Sequence, residues 1–389
     1  STKTQSILKI ALSKNNKLYT KPKENCVKIE FSKLFFKNNK TSISLIEKYN
    51  SCPKCAFLAN GLNLQKIKKD KVESTIIGTF IHKVGELFVT KNESNLGKMS
   101  KTEIQNSVNS IIEDILKKEE YYSLLLPENK FLLNLISDEA KRFCTFINYE
   151  QSVSEFKPSY TEQYFGSECA FKPITIMVGE QEYYISGVVD RIDIYDNYFR
   201  IIDYKTGSTT NKNGMSDLYV GVKIQLFVYS KAIGDNLHKK LFGAFYLPIK
   251  NGFSKNGKSL YNFSGFFEDN PQMVMMCDKN AVNENKSDII GAKFNKPDKN
   301  GEIVLHKADN IIPENNFDAV VKYSIEIVKQ SIKDIISGFI DCSPINNKCS
   351  ICEFSKICKF ANDESLQREK VSKISKEKYL EINYDQTTN

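Results

Sequence analysis

Two acids and a lysine on neighbouring β-branched runs carry the strongest chemical signal in the sequence. Gly187-Val188-Val189-Asp190-Arg191-Ile192-Asp193 is followed, past Asp196-Asn197, by Arg200-Ile201-Ile202-Asp203-Tyr204-Lys205. Residues two apart on a strand point the same way, so Asp203 and Lys205 share a face, and a hairpin partner can set Asp190 beside them. Paired carboxylates suit a hard divalent cation, which polarises a phosphodiester and acidifies a water, while a nearby ammonium steadies the developing charge. The plainer alternative is a surface hairpin with solvated charges. Val188, Val189, Ile201 and Ile202 argue against it, because they mark both strands as buried, where unpaired charge is costly.

Cysteines give the second signal. Cys349-Ser350-Ile351-Cys352 and Cys358 form C-x2-C-x5-C, and their fourth partner must come from far away. Cys52, ahead of Pro53, is the natural candidate, with Cys55 as a substitute. A competing pairing of Cys52-x2-Cys55 with Cys349-x2-Cys352 has the look of a four-cysteine zinc site. Zinc ribbons place such pairs close in sequence, however, and this pairing leaves Cys358 over. Cys26, Cys144, Cys169, Cys277 and Cys342 sit among apolar neighbours and read as small buried hydrophobes.

These groups need elements to position them. Residues 183–194 and 199–205 read as two strands of a hairpin, and a helix near 223–233 and a strand at 242–248 complete an α/β core. Ser44 and Glu47 read as the capping box of a short helix that runs into Cys52. Helical spacing of Ile77, Phe80, Ile81 and Val84, then of Ile104, Val108, Ile111 and Ile115, predicts a helical lobe. Phe317, Val321, Ile325, Val328, Ile332 and Ile335 predict one long helix ended by Gly338. Residues 252–259 satisfy the phosphate-loop pattern, but a strand-like aromatic run follows where a helix would have to begin, so nucleotide binding is set aside.

Bulk composition sets the frame. Hydrophobic residues at 41% and charged residues at 26% are those of a folded chain, and 389 residues can bury a real core without a staple. A net charge of +8 favours a polyanionic partner, only modestly, because lysine and asparagine are over-used throughout. Ser1-Thr2-Lys3-Thr4 lacks an initiating Met and a signal-peptide core, and no stretch approaches the roughly 18 apolar residues of a membrane span. The expectation is a cytoplasmic protein, or a piece of a longer one, whose ten cysteines are thiols or metal ligands.

In this order the segments resemble the RecB-like PD-(D/E)XK nucleases, in which the first Asp and the Asp-x-Lys share a metal ion. Gly78-Thr79-Phe80-Ile81-His82 resembles the family's upstream helix with its metal-binding histidine. Gln225-Leu226-Phe227-Val228-Tyr229 matches its Gln-x-x-x-Tyr, two side chains on one helical face that reach DNA phosphate or order the site. Val189 stands in place of the family's proline, as is common in this branch. The resemblance implies Asp190, Asp203, Lys205, Gln225 and Tyr229 as catalytic, and His82, Asp190, Asp203 and Tyr204 as the holders of Mg2+ or Mn2+. Glu162 reads as a helix-to-strand boundary residue, with an accessory acid as the alternative. The cysteine order looks like the [4Fe–4S] cluster of the AddB component of AddAB-type helicase–nucleases and of the CRISPR adaptation exonucleases. That implies Cys52, Cys349, Cys352 and Cys358 as its ligands, in a clamp and not a catalyst.

The implied fold is α/β: a restriction-endonuclease-like mixed sheet flanked by helices, with a helical N-terminal lobe and a C-terminal cysteine strap. The expected layout is an upstream segment 1–40, a nuclease domain 41–360 and a charged tail 361–389. Within the domain lie the helical lobe 41–150, the catalytic core 158–250, an insertion 251–312, and the last helix with the cysteines, 314–360. The implied job is exonucleolytic cutting of DNA ends, one strand in the active site, in break processing and recombinational repair beside a helicase partner. A stand-alone CRISPR-type exonuclease and a non-cutting DNA-end binding module stay open as alternatives, and a phosphate-loop ATPase is disfavoured.

Overall fold

The computed structural model describes residues 30–65, 72, 74–206, 215–249, 261–295 and 303–358. Cys26, the phosphate-loop-like 252–259 and the charged tail lie outside them. In chain order the elements begin with α1 (Phe31–Phe35), β1 (Lys40–Thr41), α2 (Ile43–Ser51) and α3 (Pro53–Ala56). Next come α4 (Ser74–Lys91), α5 (Lys101–Leu116) and α6 (Lys130–Val153), then β2 (Lys157–Phe165), β3 (Ile174–Val178), β4 (Gln181–Ile185), β5 (Gly187–Tyr195) and β6 (Tyr198–Lys205). After them follow α7 (Met215–Tyr219), α8 (Gln225–Leu237), β7 (Lys240–Pro248), β8 (Ser264–Glu268), α9 (Pro271–Cys277), β9 (Ile311–Ile312), α10 (Glu314–Ile336) and α11 (Ser355–Cys358).

The strands of the larger sheet run β2-β5-β6-β7-β8-β9, with β6 and β7 parallel and α8 in the connection between them. Period-2 alternation gives this sheet two apolar faces, each with its own core. Ile201, Ala244, Tyr246 and Phe266 pack toward α2, α8 and α10. Ile202, Tyr204, Phe245, Leu247 and Phe267 pack toward α4, α5 and α6. The helical lobe forms as its periodicity predicts: Ile104, Val108, Ile111, Ile112 and Ile115 of α5 are all buried. Its start is fixed by a capping box, Ser100 Oγ accepting from Glu103 N at 3.3 Å while Glu103 Oε2 accepts from Ser100 N at 2.7 Å. The long last helix is α10, stopped just before Gly338, whose φ of +82° a residue with a side chain rarely adopts.

Two expectations need correction. The run 183–194 is not one strand. It breaks at Ser186, so that β4 belongs to a separate sheet of order β1-β4-β3 and β5 to the larger one. Alternation cannot reveal a chain changing sheets, but Gly187 marks the place: a Cβ there would meet the Tyr229 hydroxyl at 2.7 Å. Second, α2 is capped by Ser42, whose Oγ accepts from Leu45 N at 3.4 Å, and Glu47 points elsewhere. Within the expected insertion 251–312, Tyr261, Phe263, Val274, Ile289 and Leu305 are buried against the lobe side of the sheet.

Behind the β5–β6 hairpin lies a fully buried ionic quartet. Arg191 and Arg200 both bond Glu150 and Asp193, with Arg191 Nη2 at 2.9 Å from Glu150 and 2.8 Å from Asp193, and all four residues are 0% exposed. Two guanidiniums against two carboxylates cancel, and the Arg200 plane lies over the rings of Phe156 and Phe263. The quartet fixes the hairpin that carries Asp190 and Asp203 to the lobe through α6, the source of Glu150.

Candidate active site and thiol cavity

The hairpin brings Asp190 and Asp203 to one end of the sheet, and α4 supplies His82 over them. His82 Nδ1 lies 3.3 Å from Asp190 Oδ2, which also accepts from the main-chain N–H of Tyr204 at 2.5 Å. Asp203 receives the Lys205 ammonium at 2.5 Å on Oδ2 and the Gln225 amide at 3.2 Å on Oδ1. Lys205 Nζ in turn sits 5.1 Å from the centroid of the Tyr246 ring. Tyr229, four residues along α8 from Gln225, packs edge-on to Phe165 and over Gly187. All the hairpin and α8 residues singled out in the sequence therefore converge, and His82 joins them.

Glu162 joins them as well, against its reading as a boundary residue. It lies inside β2, at a φ of +46° that is strained for a glutamate, and one ligand atom each from His82, Glu162 and Asp190 lies within 4.8 Å of the others. The electrostatics ask for positive charge there. Burial and the neighbouring Asp190 carboxylate push Asp203 up to about 6 and Glu162 up to about 7. Burial works against a charged His82, yet the Asp190 hydrogen bond and the charges of Asp203 and Glu162 raise its proton affinity above the ordinary imidazole value. Oxygen donors plus one imidazole, short of cations, are a donor set that fits a divalent metal. A cavity of about 710 Å³ opens beside it, lined among others by His82, Lys83, Glu162, Tyr164 and Thr206.

Glu47 is a site residue that sequence reasoning missed. Its Oε1 accepts from Ile224 N at 2.8 Å and from Gln225 N at 2.9 Å, so a carboxylate from α2 caps α8 at the residue that touches Asp203. Burial pushes its carboxyl up to about 7. Nothing local announces this role, because the partners lie 177 and 178 residues away. Glu47→Ala is expected to cost about 1–2 kcal/mol of stability, as for other lost caps, and to slow turnover by letting Gln225 drift. Parallel thermal melts and rate measurements check this, and an unchanged rate would leave Glu47 a structural cap only.

A second cavity, of about 260 Å³, is lined by six cysteines: Cys52, Cys55, Cys342, Cys349, Cys352 and Cys358. Cys342 is thus no mere apolar filler. Its Sγ lies 3.7 Å from that of Cys358 and in hydrogen-bond contact with Cys52, while Cys55 and Cys352 are 3.9 Å apart. Cys277, by contrast, is buried and accepts from Arg200 at 3.4 Å, and Cys144 is buried in the lobe core. Thiols drawn from both ends of the fold make a donor set for a soft metal or an iron–sulfur cluster. Among the described residues no three of these sulfurs lie within 4.8 Å of one another.

Comparisons agree with the geometry. The chain is 26% identical over 389 aligned residues to the B component of the ATP-dependent helicase/deoxyribonuclease of Clostridioides difficile, covering 91% of this chain and 33% of that protein. The equivalent component of the Clostridium perfringens strain SM101 enzyme is 27% identical, with 92% of this chain and 33% of the relative covered. The chain therefore spans about a third of the length of these relatives. The crystal structure of SSO0001 aligns with 92% of this chain and 96% of its own at a TM-score of 0.29 and 15% identity, too slight a likeness to carry weight. Residues 40–359 match the family model for the PD-(D/E)XK nuclease superfamily, a span that takes in both sheets, the His82 helix and the six clustered cysteines. The chain belongs to the PD-(D/E)XK nuclease superfamily.

Proposed function

We propose that this nuclease is a Mg2+-dependent deoxyribonuclease module that removes nucleotides from DNA ends in double-strand-break processing. The observation that carries this reading is the convergence of His82, Glu162, Asp190, Asp203 and Lys205, with His82 and Glu162 also lining the adjoining cavity. A divalent cation held by His82, Asp190, Asp203 and the main chain at Tyr204 would supply charge to the phosphodiester and acidity to a water. The chain's own groups do the rest. Lys205, buttressed by Asp203 and Tyr246, offers an ammonium to the charge that grows on the phosphate, and Gln225 holds Asp203 in line. Gln225 and Tyr229, one turn apart on α8, are the groups this reading offers to the strand's phosphates.

Relatives named as components of a helicase/deoxyribonuclease support DNA as substrate and a partner protein as motor. Among the described residues no helix is long and apolar enough to cross a membrane, and action in the cytoplasm on chromosomal DNA completes the reading. The six-thiol cavity, on the same reading, holds a [4Fe–4S] cluster through Cys52, Cys349, Cys352 and Cys358. That no three of the described sulfurs lie within 4.8 Å of one another supports a cluster over zinc, since a tetrahedral site with bonds of about 2.3 Å draws four sulfurs to within about 4 Å of one another.

The test is incubation of the protein, purified without oxygen, with end-labelled linear and circular DNA, with and without Mg2+. Labelled mononucleotides or short fragments are expected from linear DNA with Mg2+ only. Retention of ends without cleavage would favour a binding module instead. A further expected result is that His82→Ala shifts the Mg2+ concentration for half-maximal rate upward by about 10- to 100-fold, the usual cost of disturbing a metal shell. An unmoved Mg2+ titration would remove His82 from the site.

A further inference from the structure

Six thiols line the cavity, yet a four-thiolate cluster uses four. In a [4Fe–4S] cluster each thiolate binds a different iron, so the ligand sulfurs are held apart by the cluster itself and two sulfurs in contact are not placed to serve together. Cys342 touches Cys358 at 3.7 Å, and Cys55 touches Cys352 at 3.9 Å. A set of four therefore contains Cys52 and Cys349 with one member of each touching pair, Cys342 or Cys358 and Cys55 or Cys352. Two thiols are always left over, and each lies against a ligand.

We propose that Cys55 and Cys342 are resolving thiols which close the strap as two disulfides, Cys55–Cys352 and Cys342–Cys358, when the cluster is lost to an oxidant. This rests on the cluster reading for its trigger but on the sulfur contacts for its pairing. Reaching a bond of about 2.05 Å from these contacts takes less than about 2 Å of movement, within reach of side-chain rotation. Exposure sets the order of events. Cys352 and Cys358 are half-buried while Cys55 and Cys342 are buried, so a peroxide meets the first pair before the second. The Cys352 or Cys358 thiolate attacks the peroxide, the O–O bond breaks, and sulfenic acid and one water form. The buried neighbour then displaces the sulfenic oxygen as a second water, and the S–S bond forms. In sum, two thiols and one hydrogen peroxide give one disulfide and two waters. The Cys55–Cys352 bond would tie residues 297 apart, the same two ends of the fold that the cluster joins.

The experiment uses the whole chain, purified without oxygen and assayed for iron and sulfide. Iron is removed with a chelator, one portion is kept reduced, and another receives two equivalents of hydrogen peroxide. Free thiols are then alkylated, and the disulfides mapped by mass spectrometry of unreduced peptides. Expected are cross-linked peptides for Cys55–Cys352 and Cys342–Cys358, and a melting temperature several degrees above the reduced apoprotein that reductant abolishes. The double variant Cys55→Ser with Cys342→Ser should keep the parent's iron content and lose both bonds and the rise. Alkylation of all six cavity cysteines after peroxide, scrambled pairs, or iron loss in the double variant would overturn the proposal. The two readings fail separately. Absence of iron with correct disulfides sinks the cluster alone, and full iron with no disulfides sinks the pairing alone.

Discussion

Asp203→Asn is expected to abolish cleavage of labelled DNA, by at least about 10³-fold at saturating Mg2+, while the protein still folds and holds DNA ends. The size follows from what is removed. Electrostatic stabilisation of a transferring phosphoryl group is worth several kcal/mol, and each 1.36 kcal/mol is about tenfold in rate. Asparagine keeps an oxygen for the Gln225 amide, so the loss falls on charge and not on packing. The fold should not suffer, because Asp203 is held with its pKa pushed up to about 6 by burial and by Asp190, a sign that its charge is unfavourable without a cation. The sign is plain: a carboxyl whose folded pKa exceeds its unfolded value of about 3.8 weakens the fold as pH rises through that window, and a neutral amide removes the penalty. Lys205 loses a partner, but its side chain is 39% exposed and keeps the Tyr246 ring beside it, which tempers the loss. Lys205→Met should give the same phenotype. A variant that cuts within tenfold of the parent, melting normally, would sink the assignment of the hairpin as the catalytic centre.

The architecture explains why these residues meet. The candidate active site sits at the end of a sheet covered on both faces, where the lobe contributes His82 through one core and α8 contributes Gln225 through the other. Each half is anchored by charge brought from a distant element. Glu150 of α6 holds the back of the hairpin through Arg191 and Arg200, and Glu47 of α2 holds the front through the N-terminus of α8. Helix α2 is also the helix that ends at Cys52, so the thiol cavity and the active site share a support.

How much of this was legible in the sequence follows from the range of each interaction. Asp190, Asp203 and Lys205 could be read because a hairpin is local and its faces obey a two-residue period. Gln225 and Tyr229 could be read because four residues on a helix make one face. Glu47 could not, since the amides it caps are remote and its spacing to Ser44 imitates a local capping box. Glu162 was legible only as an acid near a strand; its aim at His82 depends on a left-handed residue that no period announces. The split at Ser186 was hidden because residues on either side are equally strand-like. Cys342 looked like any cysteine among apolar residues, and only tertiary contact with Cys358 and Cys52 separates it from Cys144.

Loss of the strap should rival loss of the catalytic acid in size, but in stability instead of chemistry. Cys349→Ala is the cleanest probe, because Cys349 belongs to every four-thiolate set the contacts allow, whereas Cys55 stands ready at 3.9 Å behind Cys352. The contrast is itself expected: under reducing conditions Cys349→Ala should contain little iron, and Cys352→Ala should retain much of it. The proposed clamp would join α2 to the tail beyond α10 across nearly the whole domain, and a cross-link closing a loop of 100 residues or more is worth about 4–5 kcal/mol in the chain-entropy account. A folded domain is held by roughly 5–15 kcal/mol, so a deficit of that order should lower the melting temperature by ten degrees or more and open residues 340–358 to protease. Cleavage by the fraction that remains folded should persist, since His82, Asp190, Asp203 and Lys205 are untouched. Reductant must be present throughout, or disulfides within the cavity could mask the loss. If Cys349→Ala comes out colourless yet melts with the parent and resists protease equally well, the six cysteines hold nothing together and the clamp is wrong.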